Sequence, residues 1–132
     1  MNLIAKLDRV FSKYIRVRDC YPNGKFVCIS CGKVKGIEES DCGHFISRGN
    51  MATRYDERNC NAECRFCNRF DNSHLVGYQR RLIDKIGMEE FNKMVQLSHT
   101  IKKWDKSELE FMIKLYNAKL KEEMRTKGIF NI

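Results

Sequence analysis

Apolar side chains recur at helical spacing near the start of the chain. One face of this repeat is apolar and the others are basic, as shown by Leu3, Leu7, Val10, Phe11 and Tyr14 against Lys6, Arg9, Lys13 and Arg16. This pattern predicts an amphipathic helix with a basic side over residues 3–18, within an N-terminal segment 1–19.

Helical periodicity returns after Cys67 in three apolar stripes. They are Leu75, Tyr78, Leu82 and Ile86; Phe91, Met94, Val95 and Ile101; and Leu109, Met112, Ile113, Tyr116 and Leu120. Gly87 and Gly128 are stop signals. Ser107 and Glu110 form a capping-box pattern at the start of the last stripe. These stripes are typical of helices packed on a core, so residues 88–128 are predicted to be helical.

The segment between the helical regions is irregular. A turn signal at residues 21–24 precedes a short predicted strand over 25–29, and a second strand is expected within 42–47. Residues 47–63 are mostly polar and are predicted to be a loop. The fold class expected is α+β and mostly helical: a single domain, 1–132, with a small core over 25–86 flanked by N- and C-terminal helices.

Composition narrows the function classes. The chain has 132 residues and a formal net charge of +8, spread over both halves. A positive globular domain suits a polyanion such as DNA, although a solvated basic surface explains the charge equally well. No apolar run approaches the roughly 18 residues of a membrane span, and the first residues lack a signal-peptide pattern. We therefore expect a soluble, cytoplasmic protein with no membrane partner.

All seven cysteines lie between Cys20 and Cys67, and an odd number argues against a closed disulfide framework. Four of them form two CxxC knuckles separated by 32 residues, Cys28 with Cys31 and Cys64 with Cys67. Two knuckles can supply four thiolates to one tetrahedral Zn²⁺, which leaves no open position and makes the zinc structural. The alternatives are a redox pair and free buried thiols.

Three cysteines remain outside the knuckles. Cys20, Cys42 and Cys60 are expected to be small buried residues, with Cys42 or Cys60 as a substitute zinc ligand in the alternative reading.

The segment between the knuckles carries a further pattern. Gly43-His44-Phe45-Ile46, Arg54-Tyr55-Asp56, Asn59 and the Cys64-x-x-Cys67-Asn68 run resemble the HNH, or ββα-metal, nucleases, and more closely the phage NinG (Rap) recombination protein family. The resemblance extends to about residue 87 and is most specific over 25–74. It implies a ββα-metal core braced by the four-cysteine zinc.

The resemblance also implies roles for individual residues. His44 would be the general base, because a neutral imidazole can take a proton from water. Asn59 would hold the loop that orients it. Arg48 and Arg54 would contact phosphate or stabilise transition-state charge, with Arg58 as a further candidate.

A catalytic Mg²⁺ or Mn²⁺ is expected from oxygen and imidazole donors near this segment. Its expected ligands are Asp41, Asn68 and His74. HNH enzymes usually carry a ligand directly before the base, but this chain has Gly43 there, so Asp41 is the substitute. Asn68 could instead cap a helix, and Asp71 or Asn72 could replace His74.

These features favour a metal-dependent endonuclease. The resemblance implies branched or junction DNA as the substrate, cut during phage recombination, and symmetrical cutting would require a homodimer. A zinc-stabilised DNA-binding module without catalysis uses the same knuckles and charge. A thiol redox protein is the third alternative, and it would need an exposed cysteine pair of low pKa.

Overall fold

The computed structural model describes residues 2–132. The predicted N-terminal helix is confirmed as α1, Leu3–Arg18, and the side chain of Asn2 caps it by accepting a hydrogen bond of 2.7 Å from the Ala5 amide. Six of its side chains are buried, including Leu7 and Phe11. Its apolar stripe therefore faces the protein interior, as the spacing predicts.

Two short antiparallel hairpins follow. β1, Lys25–Val27, pairs with β2, Val34–Gly36, and the first CxxC knuckle forms the turn between them. β3, Ser40–His44, pairs with β4, Cys60–Cys64. In the second hairpin Asp41 lies opposite Glu63 and His44 lies opposite Cys60. The second hairpin thus connects the inserted segment to the second knuckle.

The predicted loop over 47–63 is wrong in its last residues, because β4 begins at Cys60. All five β4 residues are buried, and two of them, Asn61 and Glu63, are polar. These polar side chains hide the hydrophobic pattern of a buried strand. The remaining residues, 47–59, are turns, as predicted.

Three helices follow β4. α2 is Arg65–Phe70, α3 is His74–Ile86 and α4 is Met88–Leu97. Gly87, with φ of 85°, ends α3 as predicted and adjoins the start of α4. Ile101 does not belong to the α4 stripe, because it lies beyond the helix and is 94% exposed.

The last helix, α5, spans Lys106–Lys127 and ends at Gly128, which has the left-handed conformation expected of a helix stop. The predicted capping box is displaced by two residues. The Asp105 side chain accepts from the Glu108 amide and the Glu108 side chain accepts from the Asp105 amide. Ser107 therefore lies inside the helix and not at its cap.

The β3–β4 hairpin lies between two helical layers. On one face, Cys42 and Cys60 pack with the apolar side chains of α1 and α5. On the other side, Phe45 packs with Tyr78 of α3 and Phe91 of α4. About half of the chain is helical and the sheets are small. In residues 2–132, no helix combines the length and the apolar character needed to cross a membrane.

Candidate functional site

The two CxxC knuckles meet at one point. The sulfur atoms of Cys28, Cys31, Cys64 and Cys67 all lie within 4.8 Å of one another. The first pair sits at the tip of the β1–β2 hairpin, where Gly32 adopts φ of 76°. The second pair brackets the start of α2, so Cys64 ends β4 and Cys67 lies in the first helical turn.

This cluster fits a metal ion by its donor chemistry. The backbone amides of Ser30, Cys31 and Cys64 lie 3.3–3.5 Å from the Cys28 sulfur, an arrangement that stabilises a thiolate. Four sulfur donors suit a closed tetrahedral zinc site. A four-cysteine cluster that could hold a metal ion is therefore present where the two motifs predict one.

A polar pocket lies beside this cluster, at the edge of β3. Four of the predicted site residues line it, and they come from different segments: His44, Arg48, Asn68 and His74. Cys42 lines it as well. The fold thus brings the strand, the following turn and the helices α2 and α3 to one opening.

His44 is held at the end of β3 by its ring. Its Nε2 lies 3.0 Å from the carbonyl oxygen of Arg54, which can only accept, so Nε2 carries the hydrogen. In the neutral ring, Nδ1 then keeps its lone pair. Burial lowers the pKa of His44, and the charges of Arg48 and Arg54 lower it further, although the bond to the carbonyl opposes this. His44 is therefore neutral at pH 7 and can accept a proton.

Asn59 holds the loop that follows His44. Its side chain is fully buried, and it accepts from the Ile46 amide at 2.7 Å while donating to the carbonyls of Ile46 and Thr53. It does not line the pocket. Asn59 fixes the path of residues 46–59, which is the role that the resemblance implies for it.

Tyr78 supports the same loop from α3, although its position in an apolar stripe predicts only a core residue. Its buried hydroxyl lies 2.7 Å from the carbonyl oxygen of Gly43 and 3.2 Å from that of Asn59, and it accepts from Asn61. Tyr78 therefore fixes the backbone on either side of the His44–Asn59 segment.

Asp41 and Asn68 contact each other. The Asn68 amide donates to the Asp41 carboxylate at 3.0 Å. Asn68 is the fourth residue of α2 and does not cap this helix, because the N-cap position is held by Cys64. Arg69 makes two hydrogen bonds of 2.9 Å to Asp41, and Arg65 lies 3.9 Å away. Asp41 lies outside the set of residues that line the pocket. Its charge is already neutralised by arginine.

The two predicted arginines differ in their surroundings. Arg54 pairs with Asp8 of α1 through two bonds, of 2.9 and 2.5 Å, and also donates to the Arg48 carbonyl. Arg48 is exposed, and within residues 2–132 it makes no ion pair. Arg58 is paired with Asp56 at 2.6 Å. Arg48 is thus the guanidinium that remains available at the pocket.

His74 lies against a carboxylate that the sequence did not single out. Its Nδ1 is 2.5 Å from Oε2 of Glu63, which also accepts from the hydroxyl of Ser30. Glu63 is fully buried. A glutamate buried in a strand needs polar partners, but no local pattern in the sequence indicates that Glu63 is buried.

The three remaining cysteines are free thiols. Cys20 and Cys60 are buried as expected, but Cys42 is only partly buried, because it borders the pocket. Cys42 and Cys60 do not join the four-cysteine cluster. They lie beside His44, with donor atoms of the three residues within 4.8 Å of one another. Burial raises the pKa of Cys60 well above its ordinary value, so this residue is a neutral thiol.

Comparison with known proteins gives one consistent result. A family model described as the bacteriophage lambda NinG protein matches residues 1–126. The NinG protein of Escherichia phage 933W is 30% identical over 120 residues, which is 90% of this chain and 57% of that protein. Those of Salmonella phage P22 and Escherichia phage lambda are each 29% identical over 120 residues, 90% of this chain and 56% of theirs.

The chain therefore spans somewhat more than half the length of these curated relatives. No solved structure matches it.

Proposed function

The chain belongs to the NinG family of lambda-like bacteriophages, and we propose that it is a metal-dependent endonuclease of the HNH type that hydrolyses DNA phosphodiester bonds. The observation that carries this proposal is the pocket at the edge of β3. His44, Arg48, Asn68 and His74 line this one opening. Within residues 2–132, Nδ1 of the neutral His44 ring makes no hydrogen bond and the Arg48 guanidinium makes no ion pair.

Two side chains of the pocket, those of His44 and Arg48, suit separate needs of phosphodiester hydrolysis. Nδ1 of His44 takes a proton from the attacking water, since Nε2 is occupied by the Arg54 carbonyl. Arg48 contacts the phosphate and stabilises the charge that develops on it. Asn59 and Tyr78 keep the His44 backbone in place while this occurs.

Asn68 and His74 are the donors that would hold a divalent cation. An amide oxygen and an imidazole, with water and phosphate oxygens completing the shell, suit Mn²⁺, and Mg²⁺ with more water. When bound, the cation supplies charge stabilisation for the phosphate and the leaving oxygen. Asp41 fits this role poorly, because Asn68 and Arg69 occupy its carboxylate.

The four-cysteine cluster has a separate role in this proposal. Its four sulfur donors would close the coordination shell of a zinc ion, so the zinc would brace the fold and would take no part in hydrolysis. It joins the β1–β2 hairpin to the start of α2, which carries Asn68.

The nucleic-acid substrate is inferred from charge and family. A net charge of +8 favours a polyanion, and phosphate contacts of this kind are independent of sequence. The choice of branched or junction DNA, cut during phage recombination in the host cytoplasm, rests on the resemblance alone. A homodimer would be needed to cut a junction symmetrically.

A zinc-braced DNA-binding module without catalysis is the second candidate. Two observations favour it: Arg54 is paired with Asp8, and none of the described residues that line the pocket is a carboxylate. This module would use the same basic surface but would not depend on His44.

The two candidates separate in one assay. The purified protein is incubated with branched and with linear duplex DNA in Mg²⁺, in Mn²⁺ and in EDTA. We expect cation-dependent cutting that His44→Ala reduces at least about 100-fold, since a general base contributes roughly 10²–10⁴-fold. His99→Ala is the matched control, because His99 is exposed beyond α4.

Binding of the same DNA by His44→Ala, measured by fluorescence anisotropy, should be unchanged. Cutting that survives His44→Ala would contradict the mechanism, and tight binding with no cutting in any cation would favour the binding module.

A further inference from the structure

Glu63 is a buried carboxylate with an unusual environment. Its side chain has no exposure to solvent, and Oε1 has no hydrogen-bond partner within residues 2–132. A buried, incompletely satisfied carboxylate destabilises a fold, so its presence calls for an explanation other than stability. The position of its second oxygen indicates that explanation.

In the part of the chain that the structure describes, both side-chain hydrogen bonds of Glu63 are made by Oε2. Ser30 and His74 are the partners, and the His74 contact is 2.5 Å long. A carboxylate accepts, so Nδ1 of His74 carries the hydrogen. In the neutral ring Nε2 then holds the lone pair, and His74 lines the pocket together with His44 and Asn68.

Gly43 makes room for this carboxylate. A Cβ atom at residue 43 would lie 2.3 Å from Oε1 of Glu63 and 2.9 Å from its Cβ. The glutamate side chain therefore occupies the space that any larger residue at 43 would need, directly before His44. Only glycine lets the carboxylate reach His74 from the neighbouring strand.

Ser30 connects this pair to the four-cysteine cluster. It lies inside the first knuckle, between Cys28 and Cys31. Its carbonyl accepts from Arg81 of α3 at 2.6 Å, and a Cβ at Gly77 of the same helix would lie 2.1 Å from that oxygen. The knuckle and α3, which carries His74, are therefore in close contact.

We propose that Glu63 is a positioning residue that keeps His74 in the Nδ1–H tautomer with Nε2 available to a divalent cation, and that Ser30 fixes Glu63 from the knuckle. A carboxylate behind a histidine fixes the tautomer and raises the basicity of a ligand in this way. The cation's part in hydrolysis rests on the proposed function, but the tautomer and the affinity for a cation do not.

The experiment uses the full chain, loaded with zinc and labelled with ¹⁵N at histidine. Ring ¹⁵N shifts at about pH 8, where an ordinary histidine of pKa about 6.5 is neutral, report the tautomer. We expect wild-type His74 to be the Nδ1–H form. A ring in the Nε2–H form, or one that averages both forms like free imidazole, would overturn the proposal without any variant.

Glu63→Gln tests whether the Glu63 carboxylate causes the tautomer preference of His74. An amide can donate to Nδ1 as well as accept, so the preference for the Nδ1–H form should fall. The Kd for Mn²⁺, measured from free Mn²⁺ by electron paramagnetic resonance, should rise about tenfold or more. Glu57→Gln is the matched control, because Glu57 also binds several groups, among them Tyr116 and Lys119, outside the pocket.

An unchanged tautomer and an unchanged Mn²⁺ affinity in folded Glu63→Gln would refute the proposal. If Glu63→Gln does not fold, the wild-type tautomer decides, and Ser30→Ala should raise the Kd for Mn²⁺ by a smaller factor. Failure to cut DNA with the tautomer preserved would overturn only the nuclease proposal. Normal cutting of DNA by a chain whose His74 has no preference for the Nδ1–H tautomer would overturn only the proposal for Glu63.

Discussion

The four-cysteine cluster and the polar pocket are neighbours, but they are built in different ways. The cluster takes two identical donors from each of two local motifs, and its sulfur atoms face one another. The pocket takes single side chains from β3, the following turn, α2 and α3. Three of these side chains are held by partners elsewhere in the fold: His44 by the Arg54 carbonyl, Asn68 by Asp41 and His74 by Glu63. Arg48 is exposed.

Because of this difference, we expect the cluster to determine the stability of the fold and the pocket to determine its chemistry. A metal bound by the cluster would stabilise the folded chain directly, because the unfolded chain has no preformed site. The pocket contributes little to stability by itself, since its open side keeps polar groups available. The two regions should therefore respond differently to substitution, except where Ser30 and Glu63 connect them.

The largest effect is expected from Cys64→Ser. Removal of one thiolate opens the shell of the proposed zinc site. Structural zinc contributes roughly 10–16 kcal/mol in small domains, which is comparable to or larger than the whole stability of a domain. We expect Cys64→Ser to lose the cooperative unfolding transition, followed by circular dichroism. Metal analysis should find about one zinc per chain in the wild type and none in the variant.

Cys20→Ser is the matched control for this change. Cys20 is equally buried but lies outside the cluster, so a hydroxyl there should cost about 1–3 kcal/mol and leave the zinc in place. Folded, zinc-free Cys64→Ser would show that the cluster is not a structural metal site.

Asn59→Ala should have the next largest effect. The substitution leaves the amide and the carbonyl of Ile46 without the Asn59 side chain and removes one of the two hydrogen bonds to the Thr53 carbonyl, which keeps the Asp56 amide. The loss should cost about 3 kcal/mol of unfolding free energy. DNA cutting should fall as well, because the loop that places Arg48 and Arg54 is loosened, while the zinc content should not change.

Urea unfolding measures the stability change, and exposed Asn92→Ala on α4 is the control, expected within about 0.5 kcal/mol of wild type. Unaltered stability in Asn59→Ala would show that the loop does not depend on this side chain.

The four-cysteine cluster could be predicted from the sequence, whereas most contacts of the pocket could not. The CxxC spacing places both thiols of a knuckle within one turn, so Cys28 and Cys64 with their partners could be assigned locally. The helix over Leu3–Arg18 follows from the spacing of its apolar residues, and the stop at Gly87 follows from the ability of glycine to adopt a positive φ. These features depend on short-range geometry, which is why they could be predicted.

The pocket depends on contacts between distant segments. Nothing in the sequence shows that Arg54 pairs with Asp8, 46 residues away, or that Glu63 lies behind His74. β4 was missed for a related reason, because its buried polar side chains are satisfied by tertiary partners and so break the hydrophobic pattern. The sequence favours Asp41 as the carboxylate because it lies three residues before His44, whereas its pairing with Arg69 depends on the tertiary fold.

The two arginines offer a smaller contrast. Arg54→Ala leaves the half-buried Asp8 without its bidentate partner and should cost about 2 kcal/mol of stability. Arg48→Ala removes an exposed, unpaired side chain, so stability should stay within about 0.5 kcal/mol, but cutting should fall about 100-fold if Arg48 contacts the phosphate. Thermal unfolding measures the stability effect and single-turnover cutting measures the activity effect. A loss of cutting in Arg54→Ala without a loss of stability, and the opposite in Arg48→Ala, would show that Arg54 acts at the pocket.

The pH dependence should show the smallest and most specific difference. Burial, with Arg48 and Arg54 nearby, holds the pKa of His44 below its ordinary value of about 6.5. The folded chain therefore keeps His44 neutral while an unfolded chain already takes up a proton. Stability contributed by neutral His44 is present above about pH 6.5 and is lost as the pH falls from there through the folded pKa.

The acid limb of single-turnover cutting should accordingly lie below pH 6.5, and Arg48→Ala should move it upward by removing a nearby positive charge. Circular dichroism and zinc content at each pH separate this effect from acid release of the metal, which would abolish the fold together with the activity. An acid limb above pH 6.5, in protein that remains folded and zinc-loaded, would show that a group other than His44 accepts the proton, and the pocket would then lose its base.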